Sequence, residues 1–256
     1  MLHGVKFYWI ILVALFVVSG CDTQPPREEP TSGILKAAEI NAKLGIAYLK
    51  EGKVEVAKKK FAKAYRQNPD SVSVNTGMGV LFERLDDIEK AEEHYKRAVD
   101  LEGEQNASNA HNNYASFLCG KKRYKEADRL FMLAAENRMY ANREISLTNS
   151  GLCAFQQGDK DKAESRFRYA LSVNKNYAPA LQQMCMISFN KKVYKLAKRY
   201  LDRCMGTGMK NLEIVYLGYM IESKLGNDFE KRKYAGMLKS LYPDSKEAFK
   251  VYQDEE

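Results

Sequence analysis

The chain has 256 residues, with 41 Lys and Arg against 33 Asp and Glu, for a formal net charge of +8. An apolar fraction of 45% excludes a disordered chain, and 16 Gly with 6 Pro exclude collagen-like or low-complexity sequence. Only one stretch, at the N-terminus, is apolar enough to enter a membrane, which excludes a polytopic membrane protein.

Residues 1–20 read as a lipoprotein signal peptide. Met1–Lys6 carries one lysine and no acid, and Phe7–Val18 is an unbroken apolar run. As a helix that run would rise about 18 Å, too short for a hydrocarbon core of roughly 30 Å. Small residues then precede Cys21, in Val18-Ser19-Gly20-Cys21, a pattern that resembles a bacterial lipobox. On that reading Cys21 carries a covalent N-acyl and S-diacylglycerol lipid, and no other cofactor is expected. The alternatives are an ordinary signal peptide with an incidental cysteine, or an uncleaved anchor. Residues 21–33 form the lipidated cysteine and its tether, because Pro25, Pro26 and Pro30 forbid a regular helix. Asp22, directly after the lipidated position, leaves the inner membrane open beside the periplasmic face of the outer membrane.

Residues 34–256 read as one all-α domain built by repetition. Ala57, Ala91, Ala127, Ala163 and Ala197 are spaced 34, 36, 36 and 34 apart. Four residues after each stands a large apolar side chain: Phe61, Tyr95, Phe131, Phe167 and Leu201. Three further on is a small one: Ala64, Ala98, Ala134, Ala170 and Cys204. Twelve before each alanine is another small residue: Gly45, Gly79, Ala115, Gly151 and Cys185. The pattern resembles the 34-residue tetratricopeptide repeat, a helix–turn–helix unit. It predicts six units, at 38–71, 72–105, 108–141, 144–177, 178–211 and 211–244, with a capping helix about Ser245–Tyr252. The sixth is atypical, with Glu230 at the alanine position. Stacked units bury what each cannot bury alone, which predicts a right-handed α-solenoid with a concave face lined by the first helix, A, of each pair.

The chemistry of catalysis is not legible. His94 and His111 lie on repeat helices without a metal-ligand spacing and read as packing or surface. Gly77 and Gly79 are not a dinucleotide loop, and no phosphate loop or serine elbow occurs. Cys119, Cys153, Cys185 and Cys204 read as small buried apolar residues, with Cys185–Cys204 the pair to test for a disulfide. The lysines of Lys58–Lys63 flank the core position Phe61 and read as a solvated helix face, so no nucleic-acid partner is expected. Neither an enzyme nor a small-molecule substrate is expected.

Binding is expected on the concave face. Projection of the repeat places Ala42, Ile46 and Leu49 there from the first unit, and Thr76 and Val80 from the second. The third gives Asn109, Asn112, Asn113 and Ser116, and the fourth Thr148, Asn149, Leu152 and Phe155. The fifth gives Gln182, Gln183, Met186 and Phe189. Apolar patches thus flank a ladder of amides able to satisfy an extended backbone. Ala42 and Ile46 stand where a carboxylate clamp would need Lys or Arg, which argues against an acidic C-terminus as the ligand.

The order of lipobox, short tether, Leu44-Gly45-x-x-Tyr48 and the near-terminal Leu241-Tyr242-Pro243-Asp244-Ser245-x-Glu247 is similar to the type IV pilus biogenesis and stability (PilW/PilF) family. That resemblance implies a pilotin: a lipid-anchored periplasmic scaffold that binds a protein partner, a secretin subunit or another pilus component, during assembly. The alternative is a lipid-anchored repeat adaptor for outer-membrane protein assembly or cell-wall enzymes.

Overall fold

The computed structural model describes residues 31–102 and 108–255. The signal segment, Cys21 and the tether as far as residue 30 lie outside the described residues. Among the described residues there are thirteen helices and no strand. They run in antiparallel pairs: α1 (Ser32–Lys50) with α2 (Val54–Gln67), α3 (Val72–Arg84) with α4 (Ile88–Glu102), and α5 (Ser108–Gly120) with α6 (Tyr124–Glu136). Then come α7 (Arg143–Gln157) with α8 (Lys160–Val173), α9 (Ala178–Asn190) with α10 (Tyr194–Gly206), and α11 (Leu212–Leu225) with α12 (Asp228–Leu241). The last helix, α13 (Lys246–Glu255), packs on the sixth pair. The product is the expected right-handed α-solenoid. Helix α1 begins at Ser32, so the last two residues read as tether are helical.

Local signals explain where the helices start and stop. Ser71, Asp159, Asn211 and Asn227 each accept a backbone N–H of the following turn and so cap α3, α8, α11 and α12. Pro179 sits in the first turn of α9, where its missing N–H costs nothing. The turn inside each pair needs one left-handed residue, supplied by Gly52, Asp86, Lys122, Gly158, Lys192 and Gly226. These six follow the 34- and 36-residue steps of the repeat.

Inside four of the six pairs a ring lies against a glycine of the facing helix, while the third and fifth pairs use Phe131 with Ala115 and Leu201 with Cys185. Phe61, Phe131, Phe167 and Leu201 are at most 1% exposed, and the repeat alanines are fully buried. A Cβ added at Gly45 would lie 2.7 Å from the Phe61 ring, and one at Gly151 would lie 2.6 Å from Phe167. Gly77, on the next unit's A helix, meets the same Phe61 ring at its Cε1 atom. One aromatic therefore locks its own pair and the following one.

From the second unit to the fifth, the residue after the repeat alanine ties neighbouring units electrostatically. Glu92 pairs with Arg123 at 2.8 Å, Asp128 with Lys162 at 2.7 Å, and Glu164 with Lys191. At the last joint the signs exchange, with Lys198 2.6 Å from the buried Glu222. Glu92 is strongly perturbed. Burial opposes its charge, yet hydrogen bonds from Lys96, Arg123 and Tyr114 bring its carboxyl down to about 2.

The cysteines correct one expectation. Cys119 and Cys153 form a disulfide between α5 and α7, whereas Cys185 and Cys204 are separate buried thiols. Cys185 donates to the Ala197 carbonyl and Cys204 to that of Ala178, so each thiol is already satisfied within its own unit. Burial pushes both thiols up, Cys204 to about 11. Cys119 stands four residues after Ala115 and Cys153 two after Gly151, and their Cα atoms lie 5.9 Å apart, within reach of a bridge.

Two stability experiments follow from this packing. Ala91→Leu overfills a closed helix crossing and is expected to cost about 1–3 kcal/mol, read as a lower urea midpoint. Cys153→Ser opens a 34-residue loop and is expected to cost about 2–4 kcal/mol, with a matching loss when the unmodified protein is melted under reductant.

Candidate functional site

The inner wall of the superhelix is made by α1, α3, α5, α7, α9 and α11, and among the described residues two apolar hollows open on it. The smaller, about 580 Å³, lies between the first two units and is lined by Ile46, Leu49 and Val80 with Lys50, Glu83 and Arg84. The larger, about 800 Å³, runs over the last three units. Helix α7 contributes Leu152, Phe155 and Gln156 to it, and α9 contributes Gln182, Gln183, Met186, Phe189 and Asn190. Helix α11 adds Leu212, Glu213, Tyr216, Leu217 and Met220, and Glu247 of α13 closes the far end.

These side chains reach the hollow because of register. Leu152 and Met186 each follow the small residue at the helix crossing by one position, and Phe155 and Phe189 follow it by four. That face turns away from the B helix and toward the axis of the superhelix. Leu152 is 37% and Phe155 40% exposed, a large apolar area left facing water. Phe189 leans on Tyr194 with ring centroids 5.5 Å apart, which fixes its orientation.

The structure brings Leu152, Phe155, Gln182, Gln183, Met186 and Phe189 together in one groove, and Ile46, Leu49 and Val80 in the other. It separates the remaining expected positions from both. The side-chain oxygen of Asn112 accepts from Ser146 Oγ and from Asn149 Nδ2, each at 3.1 Å. The amide ladder thus spends part of its capacity joining α5 to α7 rather than offering it to a ligand. Ser116 donates to the Asn112 carbonyl at 2.9 Å, and Asn109 accepts from the Tyr140 hydroxyl at 3.1 Å. Asn113 and Thr76 are half-buried and line neither groove. Ala42 and Thr148 are buried at 3% and 2% exposure and belong to the packing.

Sequence reasoning stopped one unit early. Tyr216, Leu217 and Met220 form the third wall of the larger groove and were absent from the projection. The register of Gly218 was there to find them, but the projection rule alone misplaces two side chains. Tyr219 and Glu222 occupy the positions one and four after that glycine, and both are buried instead. Tyr219 donates its hydroxyl to Asp254 of α13 at 2.9 Å, so the capping helix covers the lining expected there.

The two described histidines lie within the packing. His94 Nδ1 is 3.0 Å from Asn75 Oδ1, and its ring stacks on Phe82 and meets Tyr65 edge-on. Burial holds its pKa down. His111 is 4% exposed on α5. No group of His, Cys, Asp and Glu among the described residues is arranged to hold a metal ion. The lysines of residues 58–63 face outward on α2, with Lys58 paired to Glu55 at 3.2 Å. No described helix is long and apolar enough to cross a membrane.

Comparison with known proteins agrees with this architecture. The tetratricopeptide repeat family matches residues 42–110. The type IV pilus assembly protein PilF of Pseudomonas aeruginosa is 28% identical over 240 residues, covering 92% of this chain and 94% of that protein. An uncharacterized protein of Haemophilus influenzae is 27% identical over 146 residues, 57% of this chain and 79% of its own length. Among solved structures, P. aeruginosa PilF superposes with a TM-score of 0.69 at 28% identity, over 88% of this chain and all of that one. PilW, a type IV pilus biogenesis factor, shares the fold with a TM-score of 0.67 at 22% identity, over 84% of this chain and 98% of its own. The chain is a tetratricopeptide-repeat homologue of the type IV pilus assembly protein PilF.

Proposed function

We propose that this protein is a lipid-anchored periplasmic scaffold that holds a protein partner during type IV pilus biogenesis. The observation that carries the reading is the apolar groove over the last three units, in a chain that matches PilF along nearly its whole length. A groove of this kind does chemistry by position alone. It removes apolar side chains of a partner from water at about 25 cal/mol per Å² and keeps them from pairing elsewhere while subunits assemble. No nucleophile–base set or metal site is needed for that task, and the reading is of a binding protein rather than an enzyme.

The location follows from the sequence around Cys21. Acyl chains on that cysteine would hold the scaffold at the periplasmic face of the outer membrane, since more than one chain anchors stably where a single one does not. A secretin subunit, or another pilus component presented at that surface, is the partner this arrangement suits.

Two measurements test the reading. Phe155→Glu or Phe189→Glu should weaken capture of the partner from detergent-solubilised membranes at least tenfold, with an unchanged far-ultraviolet helical signal. Undiminished capture by both would move the site to the hollow between the first two units. Cys21→Ala should abolish incorporation of labelled palmitate and release the protein from sedimenting membranes. Label retained in that variant would overturn the anchor.

A further inference from the structure

We infer that the groove over the fourth to sixth units takes an amphipathic helix whose apolar face is flanked by Lys or Arg. The inference rests on the reading that this groove seats the partner. The first argument is charge. The wall contains two residues charged at neutral pH, Glu213 and Glu247, and both are acidic. They stand at the α11 and α13 end of a chain whose formal net charge is +8. No Lys or Arg belongs to the wall, and Lys250 of α13 is drawn over the Tyr216 ring, 5.7 Å from its centroid. The hollow between the first two units, by contrast, mixes Lys50 and Arg84 with Glu83. An occupant of the larger groove therefore gains by bringing cations to one end, and an acidic one is repelled.

The second argument is the supply of hydrogen-bond partners. An extended segment brings a row of backbone N–H and C=O groups that must be satisfied when water is expelled. The groove floor is Leu152, Phe155, Met186, Phe189, Leu217 and Met220, none of which can serve them. The Gln182 amide is already engaged, donating to Glu213 and accepting from Asn211 Nδ2 at 2.9 Å. Gln156, Gln183, Asn190 and the Tyr216 hydroxyl remain, with the Glu213 and Glu247 carboxylates as acceptors only, and they do not make the continuous row of donors and acceptors that a strand needs. A helix satisfies its own backbone and presents carbon to carbon. The groove volume of about 800 Å³ accommodates the few large side chains that one helical face offers.

The test uses the full mature protein and three labelled peptides of about 18 residues each. The first places Leu and Phe at i, i+3, i+4 and i+7 with lysines at both ends, and the second exchanges those lysines for glutamates. The third keeps the composition of the first but alternates apolar and polar residues. Fluorescence anisotropy should show the lysine-flanked helix binding about fivefold tighter than the glutamate-flanked one, and the alternating peptide binding weakest. The double variant Glu213→Lys with Glu247→Lys should reverse the charge preference. Equal binding of both flanked peptides, or a preference for the alternating one, overturns the inference. If no peptide binds while partner capture still depends on Phe155 and Phe189, the inference fails and the scaffold reading stands. If capture is indifferent to those two residues, the scaffold site itself is wrong. A concentration-dependent dimer abolished by Phe189→Glu would identify a second copy as the occupant and also end the inference.

Discussion

The structure depends on the contact of an aromatic ring with a backbone that carries no side chain. Phe61 against Gly45 and Gly77, and Phe167 against Gly151, allow helices to approach more closely than any Cβ would permit. That approach sets the angle within a pair and the step to the next. Repeated along the chain, it fixes a curvature, and the curvature makes an inner wall. The groove is therefore a by-product of small residues at 34- and 36-residue intervals, and no loop or insertion is needed to build it.

The joints add a second constraint, which is directional. Glu92, Asp128 and Glu164 reach forward to a base on the next unit, while Lys198 reaches forward to the buried carboxylate of Glu222. These ties are partly shielded from solvent, so they hold orientation more than they add stability. The exchange of sign at the last joint coincides with the place where α13 folds over α11. Tyr219 and Glu222, which occupy inner-wall positions by register, are buried there, and Tyr216, Leu217 and Met220 are left to finish the groove.

Much of this was legible in the amino-acid sequence, for a physical reason. Periodicity is a global signal, and five coincident alanines cannot be mimicked by local propensity. The inner-wall residues Leu152, Phe155, Met186 and Phe189 were legible for the same reason, since register carries over from one unit to the next. What escaped depended on departures from register. Cys119 and Cys153 stand four and two residues after the small positions of their helices, so an alignment of those positions does not place the two cysteines together. The engagement of Asn112 with Ser146 and Asn149 escaped because an amide's partner is set by side-chain rotation, which no periodicity reports. The lining on α11 escaped because the cap α13 changes which face of that helix is left open.

The bridge between α5 and α7 has a mechanical consequence. A pull applied between the two ends of the chain would unravel unbridged hairpins one after another, and each residue released adds about 3.3–3.6 Å of contour length. The 34-residue span from Cys119 to Cys153 is bypassed by the covalent cross-link, so α6 bears no load. Roughly 110–120 Å of extension is thereby withheld from any tensile force, and the bridged hairpin at the centre of the rod stays short while its neighbours yield.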